Sequence, residues 1–345
     1  MKNKIDLSIV IPVYKTNIGC FQRCLSSIFN QVVDHLSYEV IVVLDGENEN
    51  KEILDCGLLN RHPNVRSIIL PHGGVARARN RGIGECRGEW LIFVDADDYL
   101  PLGAVQQLMD GRNDECDLVV ANHSRVYGRR VIPIRYFNRK KMWGKQESSN
   151  FVKDVLSVGS DQGTVWGKLF RLSFLRNNHI LFNENLVNGE DQVFVLEVVL
   201  RNPIIRAIPN NVYMYTYNSS SSVRNFDALY VSKLMHTLVE IERMLKPQEI
   251  SYRHIYNIFL LDRLLLIIVN YIFNPNSSYT LSHKHEIFLK IISDPFFSRA
   301  LEERYNNSIS LSRRITLSCV KKKRFYLVLL IVRIRNIRLS ISNRG

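Results

Sequence analysis

The most constraining feature of the sequence is the stretch Trp90-Leu91-Ile92-Phe93-Val94-Asp95-Ala96-Asp97-Asp98, in which an unbroken apolar run leads straight into three carboxylates. An apolar run of that length without alternation fits a strand buried on both faces, as in the middle of a parallel sheet. The acids then fall at the carboxyl end of the strand, where open α/β sheets bind their ligands. An Asp-x-Asp at that place can hold a hard divalent cation through oxygen and leave positions open for phosphate.

The chain around this stretch supports a sheet. Leu7 to Ile11 reads as a buried strand ended by Pro12, Glu39 to Leu44 as a second that runs into Asp45-Gly46, and Val65 to Leu70 as a third. Helical patterns cover Cys20 to Gln31 and Val75 to Cys86, the latter carrying Arg77, Arg79 and Arg81. With Trp90 to Val94 as the fourth strand and Asp117 to Ala121 as the fifth, strands alternate with helices. That predicts βαβ units and an α/β fold with a mainly parallel sheet flanked by helices. Gly82-x-Gly84-x-x-x-Gly88 is not a dinucleotide loop, because it closes a helix and precedes a strand.

Further along, Ser124 to Lys145 is basic and aromatic and reads as a hairpin and loop. Trp166-Gly167-Lys168-Leu169-Phe170 leads into a short helix, and Gly189-Glu190-Asp191 opens an amphipathic one, which supplies a second acidic site. Ile204 to Ile208 and Val212 to Tyr217 read as two strands, and Asn218 to Ser222 as a loop that ends the α/β pattern. From Asp227 onward the pattern is helical. The expected division is an α/β domain over residues 1–225, with a nucleotide-binding half (1–121) and a second half (122–225), then a helical C-terminal region over 226–345.

The net charge of +13 makes a polyanion a natural neighbour: nucleic acid, an anionic membrane or a phosphorylated substrate. From Ser312 onward there is no Asp or Glu, while Lys321-Lys322-Lys323-Arg324 precedes the apolar run Phe325 to Val332 and Arg333, Arg335 and Arg338 follow it. Such a tail fits either an interfacial segment facing anionic lipid or an ordinary basic terminal helix. Ile258 to Phe273 is apolar but contains Asp262, Arg263 and Asn270, and at this length it is expected to be a buried helix rather than a span. The six cysteines show no CxxC and no zinc spacing, so reduced thiols and a cytoplasmic setting are expected. Met1-Lys2-Asn3-Lys4 leads directly into a strand-like run rather than the apolar core of a signal peptide.

The acidic pieces suggest one chemistry. A cation at Asp95 and Asp97 would turn a diphosphate into a better leaving group, and a carboxylate across the cleft could take the proton of an attacking hydroxyl. Asp45 is placed to accept a hydrogen bond from a base or ribose, and Arg79 to face phosphates.

Six motifs, namely strand-Pro12-Val13-Tyr14, Asp45-Gly46, Ala78-Arg79-Asn80-Arg81-Gly82-Ile83, Phe93-Val94-Asp95-Ala96-Asp97-Asp98, Trp166-Gly167-Lys168-Leu169 and Gly189-Glu190-Asp191, occur in the order and spacing of family 2 glycosyltransferases with the GT-A fold. The chain resembles that family over about residues 5 to 222, which implies a glycosyltransferase domain over 1–225 with 122–225 as its acceptor half. The resemblance implies that Pro12, Val13 and Tyr14 line the nucleoside site with Asp45 on the base, that Asp95 sits by ribose and metal, and that Asp97 binds the metal. It also implies that Asp191 is the base that deprotonates the acceptor, with Glu190 beside it. The cofactor would be Mn²⁺ or Mg²⁺, the donor a nucleotide-diphosphate sugar, and the acceptor a saccharide or lipid-linked saccharide of a bacterial surface polysaccharide. The anomeric centre would invert. A peripheral place at the inner face of the plasma membrane follows from the tail.

The sequence departs from the family where Leu44 precedes Asp45 and Glu47-Asn48-Glu49 follows Gly46, and the third metal ligand is unassigned. Taken singly, Asp97 and Asp98 could merely shape a turn, and Glu190 and Asp191 could merely favour a helix dipole. Two other functional classes remain: a nucleotidyltransferase, which would also need paired aspartates and a metal, and a non-catalytic basic scaffold binding nucleic acid or membrane. No base-stacking motif or basic aromatic groove is evident outside Ser124 to Lys145, so the nucleic-acid reading ranks low.

Overall fold

The computed structural model describes residues 4–33, 35–157, 159–217, 226–246, 249–303 and 309–342. The expected loop at Asn218 to Ser222, and Arg224 beyond it, lie outside these residues. The chain divides into two compact units, Met1–Val155 with Ser160–Ser219, and Leu156–Gly159 with Ser220–Gly345.

The first unit is α/β. In chain order its elements are β1 (Leu7–Val13), α1 (Ile18–Phe29), β2 (Tyr38–Asp45), α2 (Lys51–Asp55), β3 (Val65–Leu70), α3 (Val75–Glu85), β4 (Trp90–Phe93), α4 (Ala104–Gly111), β5 (Leu118–Tyr127), β6 (Arg130–Ile134) and β7 (Lys141–Trp143). Then come α5 (Val152–Leu156), β8 (Lys168–Arg171), α6 (Leu172–Asn177), α7 (Glu190–Leu200) and β9 (Ile205–Thr216). The strands form one sheet in the order β3-β2-β1-β4-β8-β5-β9-β7, with β6 paired to β5.

The β3-β2-β1-β4 half is parallel throughout. Every residue of β1 and β4 is buried, as their apolar runs require. Beyond β4 the pairing is mixed: β8 lies antiparallel to both β4 and β5, β9 is parallel to β5, and β7 is antiparallel to β9. The expected fifth strand is therefore not a neighbour of the fourth. A four-residue strand that begins with a lysine carries little β signal, and only its two partners make it one. The two strands expected over 204–217 are a single long β9, whose pairing with β5 shifts register twice where the sequence suggested a break.

Helix α3 packs closely on the sheet. A Cβ on Gly82 would lie 2.4 Å from a Val10 methyl, so only glycine permits the approach that brings the Arg79 turn over β1 and β4. Phe93 of β4 meets Phe170, Phe182 and Phe194 edge-on, and Phe182 stacks on Phe194 at 4.0 Å, which locks α7 and the segment before it to the sheet.

The second unit is helical among its described residues: α8 (Tyr230–Leu245), α9 (Glu249–Ile267) extended by a π-helical turn (Ile268–Ile272), α10 (Leu281–Ile292), α11 (Pro295–Leu301), α12 (Leu311–Lys321) and α13 (Phe325–Ser342). The helix from Ile250 to Ile272 is long and apolar enough to cross a membrane by length and composition, which corrects the expectation that this stretch is too short. Its helical register simply begins earlier than the apolar run. Phe259, Leu260, Leu261, Leu264, Ile267 and Ile268 are all buried, which fits a core helix.

Candidate active site

The parallel half of the sheet delivers three chain segments to one edge: Tyr14 after β1, Asp45 at the end of β2, and Asp95 to Asp98 after β4. Each of the sequence-selected residues can be placed there.

After β4 the chain turns, closed by the Asp98 N–H donating to the Asp95 carbonyl at 3.0 Å. The three carboxylates diverge. Asp97 is exposed, Asp95 is half-buried, and Asp98 is 1% exposed. Tyr213 of β9 explains the last of these. Its hydroxyl accepts from the Asp95 N–H at 3.1 Å and donates to Asp98 Oδ2 at 2.8 Å, while the Thr216 N–H donates to Asp98 Oδ1 at 2.6 Å. Burial pushes the Asp98 carboxyl well above its ordinary range, and the charges of Asp95 and Asp97 add to the effect. Asp98 is thus an internal strut between β4 and β9, a role deeper than that of a turn residue.

At the end of β2, the Asp45 carboxylate is 2% exposed and fully engaged. It accepts from Gly73 N–H at 2.7 Å and Gly74 N–H at 2.9 Å, and it lies 2.8 Å from His72 Nδ1. It therefore anchors the His72-Gly73-Gly74 loop that starts α3. The His72 ring in turn stacks on Tyr14 at 4.3 Å with 11° between planes. Buried Asn50 ties the ends of β1 and β2 together by donating to the Gly46 carbonyl at 2.6 Å and the Val13 carbonyl at 3.3 Å. Pro12, Val13 and Tyr14 thus end a braced strand whose exposed face is the Tyr14–His72 pair. Sequence reading missed His72, since a histidine before two glycines looks like any loop.

Arg79 was expected to face phosphates. Its side chain is instead 4% exposed and surrounded by carboxylates: Nη2 donates to Asp95 Oδ1 at 3.0 Å, and Nη1 to Glu190 Oε1 at 3.2 Å and Asp191 Oδ1 at 2.5 Å. The guanidinium also lies over the Phe182 ring. A planar fork with several donors is the group that can serve three acids at once. Burying it would be costly without them.

Glu190 and Asp191 open α7 behind Gly189, whose φ of +78° suits glycine. Positions in the first helical turn favour negative charge, but both side chains point to Arg79 rather than capping the helix. Burial pushes the Asp191 carboxyl up to about 7, with Glu190 and Asp95 adding to the rise and Arg79 opposing it. Its second oxygen lies 3.4 Å from the Val165 N–H. Lys168 on β8, also missed by sequence reading, is buried, and burial brings its ammonium down to about 7 against the pull of Asp191 and Asp161. A lysine at the start of a strand gives no sequence signal of burial.

Among the described residues no group of three or more His, Cys, Asp or Glu is arranged to hold a metal ion. Asp95 and Asp97 nevertheless suit a Mg²⁺-type ion, which commonly takes one or two carboxylates and completes its shell with water and substrate phosphates. The third metal ligand stays unassigned, and the loop at Asn218 to Ser222 lies outside the described residues.

Residues 8–161 match the model of glycosyl transferase family 2. Over those residues, under half of its length, the chain is similar to a family 2 glycosyltransferase domain. Among curated relatives, it is 28% identical over 217 residues to a poly(ribitol-phosphate) beta-glucosyltransferase of Bacillus spizizenii, covering 61% of this chain and 32% of that one. It is 25% identical over 198 residues to the poly(ribitol-phosphate) beta-N-acetylglucosaminyltransferase TarP of Staphylococcus aureus, covering 56% and 57%. EpsH of Bacillus subtilis, which carries a glycosyltransferase designation, is 25% identical over 225 residues, covering 64% and 63%. The chain thus spans under two thirds of the length of these relatives. In structure it is similar to S. aureus TarS 1–349 in complex with UDP-GlcNAc, with a TM-score of 0.67 and 19% identity, covering 96% of this chain and 92% of that one. That likeness bears out the expected GT-A-like fold with its helical C-terminal region.

Proposed function

We propose that the protein is an inverting glycosyltransferase that moves a sugar from a nucleotide-diphosphate sugar to a hydroxyl of a saccharide or lipid-linked saccharide, in the synthesis of a bacterial surface polysaccharide. One observation carries this reading: Arg79 joins the strand-end acid Asp95 to the helix-start pair Glu190 and Asp191. The leaving-group side and the base side of a two-sided site therefore lie against each other, although about a hundred residues separate them in sequence.

In this reading Pro12, Val13 and Tyr14 line the nucleoside site, and Tyr14 with His72 offers the base a ring face. Asp45 acts from behind by holding the His72 loop. Asp95 and Asp97 hold Mn²⁺ or Mg²⁺, which when bound neutralises the diphosphate. Asp191 accepts the proton of the acceptor hydroxyl, and Glu190 shares the Arg79 cation with it. A base held near neutrality by burial takes that proton more readily than an ordinary aspartate would. One displacement by one base needs no protein nucleophile, which parallels the logic of inverting hydrolases. A uridine diphosphate donor is the first choice, because the TarS neighbour was captured with UDP-GlcNAc.

The domain assignment stays as 1–225 for transfer and 226–345 as a helical extension. We place the protein in the cytoplasm, peripheral at the inner face of the membrane. Tyr326, Leu327, Leu330, Ile334 and Ile337 on α13 are exposed beside the basic run Lys321 to Arg324, which fits an anionic lipid surface. If protein ending before Ser312 binds anionic vesicles as well as the full chain does, that placement fails.

The deciding experiment follows nucleoside diphosphate release from a panel of nucleotide sugars with Mn²⁺ or Mg²⁺, for the wild type, Asp191→Asn and Asp97→Ala. Release that depends on both residues supports the reading. Pyrophosphate release from a nucleoside triphosphate would instead indicate a nucleotidyltransferase, and no turnover of any kind would indicate a scaffold.

A further inference from the structure

Beside this site the sheet builds a second concavity. β5 and β9 run parallel with Arg125 opposite Tyr215 and Val126 opposite Thr216, and the Tyr217 N–H donates to the Val126 carbonyl at 2.8 Å. Because side chains alternate along a strand, Arg125, Tyr127, Tyr215 and Tyr217 share one face. Together with Asp161, Thr164 and Trp166 they enclose a cavity of about 350 Å³. Its walls are aromatic: Trp166 stacks on Tyr213 at 4.8 Å and on Tyr215 at 5.7 Å, and the Tyr127 and Tyr217 rings lie 4.6 Å apart.

The polar groups of the cavity form a single network. Asp161 has a φ of +51°, uncommon for a residue with a side chain, and its carboxylate is bonded to Arg125 Nη2 at 2.5 Å. His123, 2% exposed, brings Nε2 to 3.1 Å from the same Asp161 oxygen, so the carboxylate is braced from two sides. The Asp161 and Arg125 charges offset each other, so the cavity favours a neutral ligand with both donors and acceptors over a free anion.

We infer that this cavity is a saccharide subsite for the acceptor, gripping a sugar ring between aromatic faces while the Asp161–Arg125 pair orients its hydroxyls. The electron-rich ring faces suit the C–H faces of a sugar. A planar carboxylate beside a guanidinium presents acceptors and donors to neighbouring hydroxyls. The volume stands at the small end of ligand sites, roughly 300–1,000 Å³, which suits a sugar unit rather than a whole nucleotide sugar. The wall segment also reaches the base: Val165, between Thr164 and Trp166 of the cavity, points its N–H at Asp191 Oδ2. A sugar held here would present its next hydroxyl toward Asp191, so the subsite selects which hydroxyl is glycosylated. This inference rests on the transferase reading proposed above.

The test measures sugar binding directly. Saturation-transfer NMR on the full chain would use methyl β-D-glucopyranoside, N-acetylglucosamine and ribitol as probes, with uridine monophosphate as a stacking control. At least one polyhydroxyl probe is expected to bind, with affinity weakened about tenfold in Tyr215→Ala and restored in Tyr215→Phe, since the ring rather than the hydroxyl does the stacking. Asp161→Asn should weaken the same probe while leaving the melting temperature close to that of Tyr215→Phe. In transfer assays Tyr215→Ala should raise the acceptor KM about tenfold, with a smaller change in kcat. Sugar binding that survives both Tyr215→Ala and Asp161→Asn would overturn the subsite, as would a cavity that takes only uridine monophosphate. If no nucleotide sugar is turned over while the sugar still binds through Tyr215, the transferase reading fails and the saccharide site stands. Active transfer with an unchanged acceptor KM in Tyr215→Ala would overturn the subsite and leave the transferase reading in place.

Discussion

The two acidic stations of the first unit, the strand end Asp95-Ala96-Asp97-Asp98 and the helix start Glu190-Asp191, look alike in sequence and behave oppositely in space. At the strand end the carboxylates separate: Asp97 goes to solvent, Asp98 goes under Tyr213 and the Thr216 amide, and Asp95 turns to Arg79. At the helix start both carboxylates converge on that same Arg79. A strand end alternates its side chains, whereas the first turn of a helix lets neighbours lean toward one partner. Adjacent acids therefore become three different groups in one case and a single charge cluster in the other. Arg79 is the point at which the two stations meet.

Removing that point should have the largest effect. Arg79→Leu leaves Asp95, Glu190 and Asp191 without their shared cation, and breaking a buried charge pair from one side costs about 3–5 kcal/mol. Urea unfolding should show a loss of that order at pH 8 and a smaller one at pH 5, where Asp191 is protonated; equal losses at both would separate the helix-start pair from Arg79. Asp191→Asn should next lower kcat by about 10²–10⁴-fold, the usual worth of a positioned base. The wild-type kcat/KM should rise with pH through about 7 as Asp191 ionises. The stability effect has the other sign. Its folded pKa lies above the unfolded value, so the carboxylate's destabilising contribution is absent at low pH and grows as pH rises toward 7. The substitution should then cost far less stability at pH 8 than Arg79→Leu does.

Smaller effects separate the members of the strand end. Asp98→Ala strands the Thr216 N–H and the Tyr213 hydroxyl and should destabilise by about 1–3 kcal/mol in thermal unfolding. Asp97→Ala should change stability by under ~0.5 kcal/mol, as exposed positions do, yet abolish metal-dependent binding of a nucleoside diphosphate followed by calorimetry. If the two substitutions had exchanged effects, the division of roles at this turn would be wrong. In donor binding the smallest change is expected from His72→Ala, which removes the ring stacked on Tyr14 and its contact with Asp45 and should raise the donor KM about tenfold at most.

Much of this was legible in advance. The apolar runs of β1, β2 and β4 declare buried parallel strands, and Gly189 before Glu190-Asp191 declares a helix start, because those signals depend on neighbours in sequence. The parts that stayed hidden depend on neighbours in space. β8 is too short to carry a pattern of its own, His72 is marked only by its stack on Tyr14 and its contact with Asp45, and Lys168 is marked only by what covers it. The helical stretch of α9 was legible from Tyr252 to Phe273, close to its observed extent, and only the count of its apolar part fell short.

By itself the sequence determined the order of strands and helices in the parallel half, the family motifs, and the two places where acids gather. Apolar periodicity and the strong preferences of Gly, Pro and Asp act over a few residues and need no partner to be read. The tertiary structure alone decided what each acid does, since a carboxylate's role follows from burial and from the charges within a few ångströms of it. Asp45 became an anchor, Asp98 a strut and Asp191 a carboxylate held near neutrality. Arg79, one arginine among several on α3, became the cation joining the two acidic stations because Gly82 lets its helix come down onto Val10.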